Sequence, residues 1–137
     1  MYAHLVALQS HLVARGWRAH IIDVPKDENV PYILISPVSD YDFDPDASGT
    51  SDDFTGHVRL TFVAGSVSAA LAFADAGRAY LSPSNRWTRL TVPGFAANVC
   101  WRSFDVADVD RDITGTALNN HRAFAKHTFH LNSRRLP

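Results

Sequence analysis

The sequence predicts a single α+β domain: a mostly antiparallel sheet of about four to six strands, with two helices over residues 3–15 and 66–81 packed on it. Three observations carry this prediction. In GHVRLTFVA (56–64) the apolar Val58, Leu60 and Phe62 alternate with His57, Arg59 and Thr61, the period-two signature of a strand with one buried face. Directly after it, Val67, Ala70, Leu71, Ala74 and Leu81 recur at three- and four-residue steps, which fits an alanine-rich helix laid on a sheet, with Ser66 placed to cap its first turn. Near the start of the chain, Leu5, Leu8 and Leu12 form a second helical stripe, widened by Val6 and Val13 and ended by Gly16.

The bulk composition excludes several classes. The 137 residues make one domain able to bury a core, with 46% hydrophobic and 20% charged residues and a formal charge of −1. That balance gives no global attraction to nucleic acid or anionic membranes, so neither a membrane nor a sequence-specific nucleic acid is an expected partner. One cysteine, Cys100, rules out a disulfide framework within the chain. The opening MYAHLVALQSHLVARG lacks the basic start and apolar run of a signal peptide, and no window has the apolar length of a membrane helix. Synthesis and assembly in a cytoplasm are therefore expected.

Between the anchors, WRAHIIDV (17–24) predicts a strand closed by Pro25, and PYILISPV (31–38) predicts one buried on both faces. Residues 39–55 are the compositional outlier, with Asp40, Asp42, Asp44, Asp46, Asp52 and Asp53 among Ser, Thr, Gly and Pro, and predict an exposed acidic loop. From Asp42 the carboxylates imitate positions 1, 3, 5 and 12 of a calcium loop, but Ala47 replaces the glycine at position 6 and the flanks read as strands. RWTRLTV (86–92) and NVCWRSF (98–104) predict two strands around Pro93-Gly94, the second with Val99 and Trp101 on one face and Cys100, Arg102 and Phe104 on the other. Asp105–Asp112 predicts a solvated acidic connection, and 121–131 a last strand with Ala123, Ala125, Phe129 and Leu131 on one face. The end, 132–137, is expected to fray.

Metal and catalytic readings are weak on spacing alone. His4 and His11 are seven apart on one helix, wider than the usual zinc pair, and predict a partly exposed helix flank. His127 and His130 are three apart on a strand and so point to opposite faces. Cys100 lacks a partner at a recognisable spacing and reads as a small core or flank residue rather than a reactive thiol. There is no glycine-rich phosphate loop, no nucleophile elbow and no Cys-x-x-Cys pair, so no catalytic constellation stands out from spacing.

The order of parts is similar to that of one known family. An amphipathic helix and a short strand precede Pro-Tyr-Ile-Leu-Ile at 31–35 and a polar excursion. The alternating strand 57–63 and the alanine-rich helix 66–81 follow, and then a hairpin region at 86–104, an acidic connection and a last strand. This layout resembles the tail-terminator (tail-completion) proteins of long-tailed bacteriophages. The resemblance implies a structural virion protein without a cofactor. Such a protein forms a ring, commonly of six copies, that caps the tail tube at its head-proximal end, stops tube polymerisation and docks the neck. Its implied partners are further copies of itself, the tail-tube protein and the neck or head–tail connector proteins. Other head–tail joining subunits share the size and composition. A head-to-tail ring needs two different complementary patches. The acidic residues Asp40, Asp42, Asp44, Asp46, Asp52 and Asp53 and a basic end carrying Arg122, Lys126, Arg134 and Arg135 are the sequence candidates. The competing class is a small-ligand or enzyme domain whose pocket would be lined by Phe62, Trp87, Trp101 and Phe104.

Overall fold

The computed structural model describes residues 2–26, 28–38, 42–43, 54–109 and 122–137. Among these the elements run α1 (Tyr2–Ala14), β1 (Ala19–Ile21), β2 (Tyr32–Pro37), β3 (Asp42–Phe43), β4 (Phe54–Ala64), α2 (Val67–Leu81), a 3₁₀ turn (Pro83–Asn85), β5 (Thr88–Val92), β6 (Phe95–Val109) and β7 (Ala123–Arg135). The strands form one sheet in the order β1-β2-β4-β7-β6-β5, with β3 added to β4 beyond β2. Only β1 and β2 run parallel, so the α+β, mostly antiparallel expectation is borne out.

Local chemistry explains both helices. α1 ends in a Schellman motif: Gly16 takes φ 100°, its N–H donates to Val13 O, and the N–H of Trp17 donates to Leu12 O. Leu5, Leu8 and Leu12 are buried, whereas Val13 is exposed and Val6 faces solvent at 37%. α2 starts as the sequence predicts, with Ser66 Oγ accepting from the Ala69 N–H at 3.1 Å. Its buried stripe is Ala70, Ala74, Gly77 and Leu81, and Leu71 lies outside it. Gly77 is the point of closest approach, because a Cβ there would overlap the ring of Phe62 on β4. Small residues on the helix thus let the largest ring of the strand reach the helix backbone.

α2 covers β4, β7 and β6, while α1 touches β1 and β5, the two edges of the curled sheet. The core lies inside that curl. It joins Leu5, Leu8 and Leu12 to Ile33 and Ile35, Val58, Leu60 and Phe62, Ala125, Phe129 and Leu131, and Val99. Trp17 packs edge-on to Phe73 and Tyr80, and the Tyr80 hydroxyl donates to His11 O at 2.9 Å, which ties the helices together.

Five expectations are corrected. The first strand spans only Ala19–Ile21, ended where Ile22 takes φ 65°. β2 buries Tyr32, Ile33 and Ile35 but leaves Leu34 half-buried, so it is not buried evenly on both faces. β6 continues to Val109, taking Asp105–Val109 into the sheet in place of a loose connection. Register shifts at Trp101/Ser103 and Phe104/Val106 turn Phe104 to the same face as Trp101, opposite His127, rather than to the face of Cys100. The chain end does not fray from residue 132: β7 pairs as far as Arg135, and the Leu136 N–H donates to Gly94 O.

Candidate functional site

The acidic half of the sequence-predicted interface lies largely outside the described residues: Asp40, Asp44, Asp46, Asp52 and Asp53 are not among them, and for Asp42 the backbone pairs with Thr55 in β3. The calcium-loop reading falls on the same residues. The basic half does not form one patch. Arg122 and Lys126 stand at the start of β7, and Arg134 and Arg135 at its far end, across a 13-residue strand. Arg122 is used within the fold, its guanidinium donating to Tyr32 Oη at 3.2 Å and to Glu28 O at 2.7 Å. Lys126 lies over the ring of Phe124 at 4.9 Å.

Three groups of titratable side chains are bound into the scaffold. At the β1–β2 end, Glu28 accepts from His20 and pairs with Arg18 at 3.7 Å. The His20 hydrogen bond holds the Glu28 carboxyl below its usual range. This group fastens the connection between two parallel strands, a link that lacks a hairpin turn.

Beneath α2, Trp101 Nε1–H donates to His127 Nδ1 at 2.8 Å, and the Arg78 guanidinium stacks 3.5 Å above the Trp101 ring. The bond from Trp101 leaves the His127 proton on Nε2. Burial, and next the charge of Arg78, push the His127 pKa down, so the imidazole stays neutral. At the far end of the same face His4, 2% exposed, bonds Ser133 Oγ at 2.7 Å, and burial pushes its pKa down to about 4. The expectation of a partly exposed His4 is therefore corrected; four residues separate it from buried Leu8, which puts it on the same stripe.

On the opposite face, the bulge at Phe104/Val106 turns Asp105 across the sheet. Its carboxylate accepts from Thr128 Oγ1 at 2.6 Å, Arg59 Nε at 3.1 Å and Ser103 Oγ at 3.1 Å. Burial would raise the Asp105 pKa, but these three donors together hold it down. Nearby, His57 and His130 face each other across β4 and β7 with ring centres 5.0 Å apart. Trp87 is 6.1 Å from His130, and a shallow depression of about 300 Å³ lies among them. His127 and His130 therefore do sit on opposite faces, as the strand period requires. Trp87 is also separated from Phe62, Trp101 and Phe104, so the four aromatics do not line a common pocket. Cys100 is buried, near Ser82 Oγ and Asn85 O, in the structural role expected of it. Among the described residues no three His, Cys, Asp or Glu side chains are grouped as metal ligands.

Two apolar features lie on the surface of the described residues. The first feature is a groove of about 610 Å³ between Tyr2, Ala3, Val6, Ala7, Ser10 and His11 of α1 and Thr91 and Pro93 at the end of β5. α1 has no Asp, Glu, Lys or Arg in its 13 residues, and Tyr2 is 71% exposed. A surface helix without a single charge is unusual for a face meant for water alone. The second feature is the far half of β6. β5 pairs only with Phe95–Val99, and Ser82 Oγ accepts the Trp101 N–H; beyond that point no described strand pairs with this edge. It carries Phe104, Val106 and Val109, exposed at 49%, 42% and 37%. Leu71, also exposed, lies two helical turns before Arg78 on the same flank of α2. Sequence reasoning missed both features. The charge-free run of α1 was a readable signal for the first, but the edge depends on where β5 begins, at Thr88 opposite Val99.

No protein-family model matches the chain, and no curated protein matches it.

Proposed function

We propose that the protein is a structural subunit of a long-tailed phage particle, one that assembles with copies of itself into a ring capping the tail tube at its head-proximal end. In that position it ends tube growth and gives the neck proteins a surface to dock on. The reading rests on the layout of helices and strands that resembles the tail-terminator proteins. The observation that carries it furthest is the division of labour among side chains. His20, Glu28, Arg122, His127, Trp101, Arg59 and Asp105 are engaged with one another inside the scaffold. The groove beside α1, by contrast, is lined mainly by apolar and hydroxyl side chains, with His11 the one titratable group, and suits contact with protein. Ring subunits meet their neighbours through such surfaces, whereas a reaction centre gathers polar groups at a cleft.

The experiment is to add the purified chain to polymerising tail-tube protein from the same particle and image the products by negative-stain electron microscopy. The reading expects ring-shaped caps and shortened tubes. Tubes of unchanged length with bare ends contradict it.

A further inference from the structure

We propose that the apolar edge of β6 in one copy of the protein seats in the α1–β5 groove of the next copy, a head-to-tail contact between two different surfaces. The inference rests on the ring-forming reading above and names the surfaces that would make the ring.

Geometry sets the contact between copies. The groove opens beside Pro93, two residues before β6 begins, and Phe104 lies nine residues along that strand from Phe95. At roughly 3.3 Å per residue the two surfaces stand ~30 Å apart on a paired strand, so one copy's edge cannot fill its own groove. The two surfaces also differ in shape, one concave and the other an edge. A contact between them is therefore heterologous, which generates closed rings or open filaments rather than isolated two-fold dimers.

Charge supports the same pairing. The groove floor is uncharged, but the sheet beside it is basic. Thr91 pairs with Ala96 and Ala96 with Arg134, so exposed Arg134 lies two strands from the groove on one face, and exposed Arg89 lies two residues before Thr91. The β6 edge carries exposed Asp108 between Val106 and Val109. Seating the edge in the groove brings Asp108 toward Arg89 and Arg134, while Val106, which shares a face of β6 with Asp108, meets Tyr2 and Val6 of α1. The bulges at Trp101/Ser103 and Phe104/Val106 make the edge irregular, which disfavours simple strand-to-strand addition and leaves side-chain packing to choose the partner.

Two measurements on the full chain test this. In sedimentation velocity, Val6→Glu and Val106→Glu should each raise the self-association constant (Kd) at least tenfold. Arg134→Glu should weaken association, and Asp108→Arg added to it should restore part of the loss. In oxidative crosslinking, the double variant Val6→Cys with Val106→Cys should give a ladder of covalent multimers, while either single variant gives none. A wild-type multimer whose mass survives both glutamate variants and whose double-cysteine form gives no ladder overturns this interface and leaves the ring reading standing. A wild-type chain that stays a monomer at every concentration, alone and beside tail-tube protein, overturns both.

Discussion

The two faces of β4 solve the same packing problem with opposite chemistry. Val58, Leu60 and Phe62 point into the curl of the sheet and are fully buried, and Phe62 reaches the bare backbone of α2 at Gly77. Arg59, on the other face, crosses β7 to reach Asp105 on β6, and Thr128 and Ser103 complete that carboxylate's hydrogen bonds. One face is held by exclusion of water and shape, the other by a half-exposed polar network. The lesson is that a polar constellation, here an Arg, an Asp and two hydroxyls, can exist to lace three strands together. Proximity of reactive groups is not by itself a reaction centre.

The comparison is broken most severely by Leu60→Asp, which places a carboxylate in the apolar interior and should cost on the order of 3 kcal/mol or more in chemical denaturation. Acid should act next. His4, His11, His127 and His130 all have lowered pKa values in the fold, with burial the first cause, so below about pH 6.5 the unfolded chain binds more protons than the folded one. Stability should fall as pH drops from 7 toward 4, and His4 alone accounts for on the order of 3 kcal/mol of the loss by pH 4. Asp105, held below its ordinary range, keeps its contribution through that interval and loses it only at lower pH. A thermal-melt series across pH separates the two. Gly77→Ala should cost about 1–3 kcal/mol despite alanine's better helix propensity, because the new methyl group displaces Phe62. The smallest effect is expected from Arg59→Ala, about 1 kcal/mol or less, since its ion pair with Asp105 is partly open to solvent. A loss from Arg59→Ala as large as that from Leu60→Asp would show the outer network to be the true organiser of the sheet.

Period and capping made much of this architecture legible. The alternation of 56–64, the Ser66 cap, the Leu5/Leu8/Leu12 stripe and the Gly16 stop each rest on interactions within a few residues, and each is found where it was expected. Features that depend on distant partners were not readable. The faces of β6 after Trp101 changed because two bulges insert extra residues, which a strict count of two cannot anticipate. His4 is buried because β7 continues far enough to bring Ser133 to it, a fact about the other end of the chain. The basic residues of β7 read as one patch in sequence but are spread along a strand ~40 Å long. For the candidate surfaces, the missing charge of α1 was visible from the start. The exposed edge of β6 depends on β5 beginning only at Thr88, opposite Val99, which no local pattern in the sequence announces.

In the proposed reading, the polar groups lock the subunit and the α1 groove and β6 edge join it to its neighbours. Native mass measurement of the wild-type chain, by sedimentation equilibrium over a range of concentrations with and without tail-tube protein, tests this most directly. The account predicts a discrete closed multimer that appears as concentration rises or the tube protein is added. A mass of one chain under every condition would contradict it.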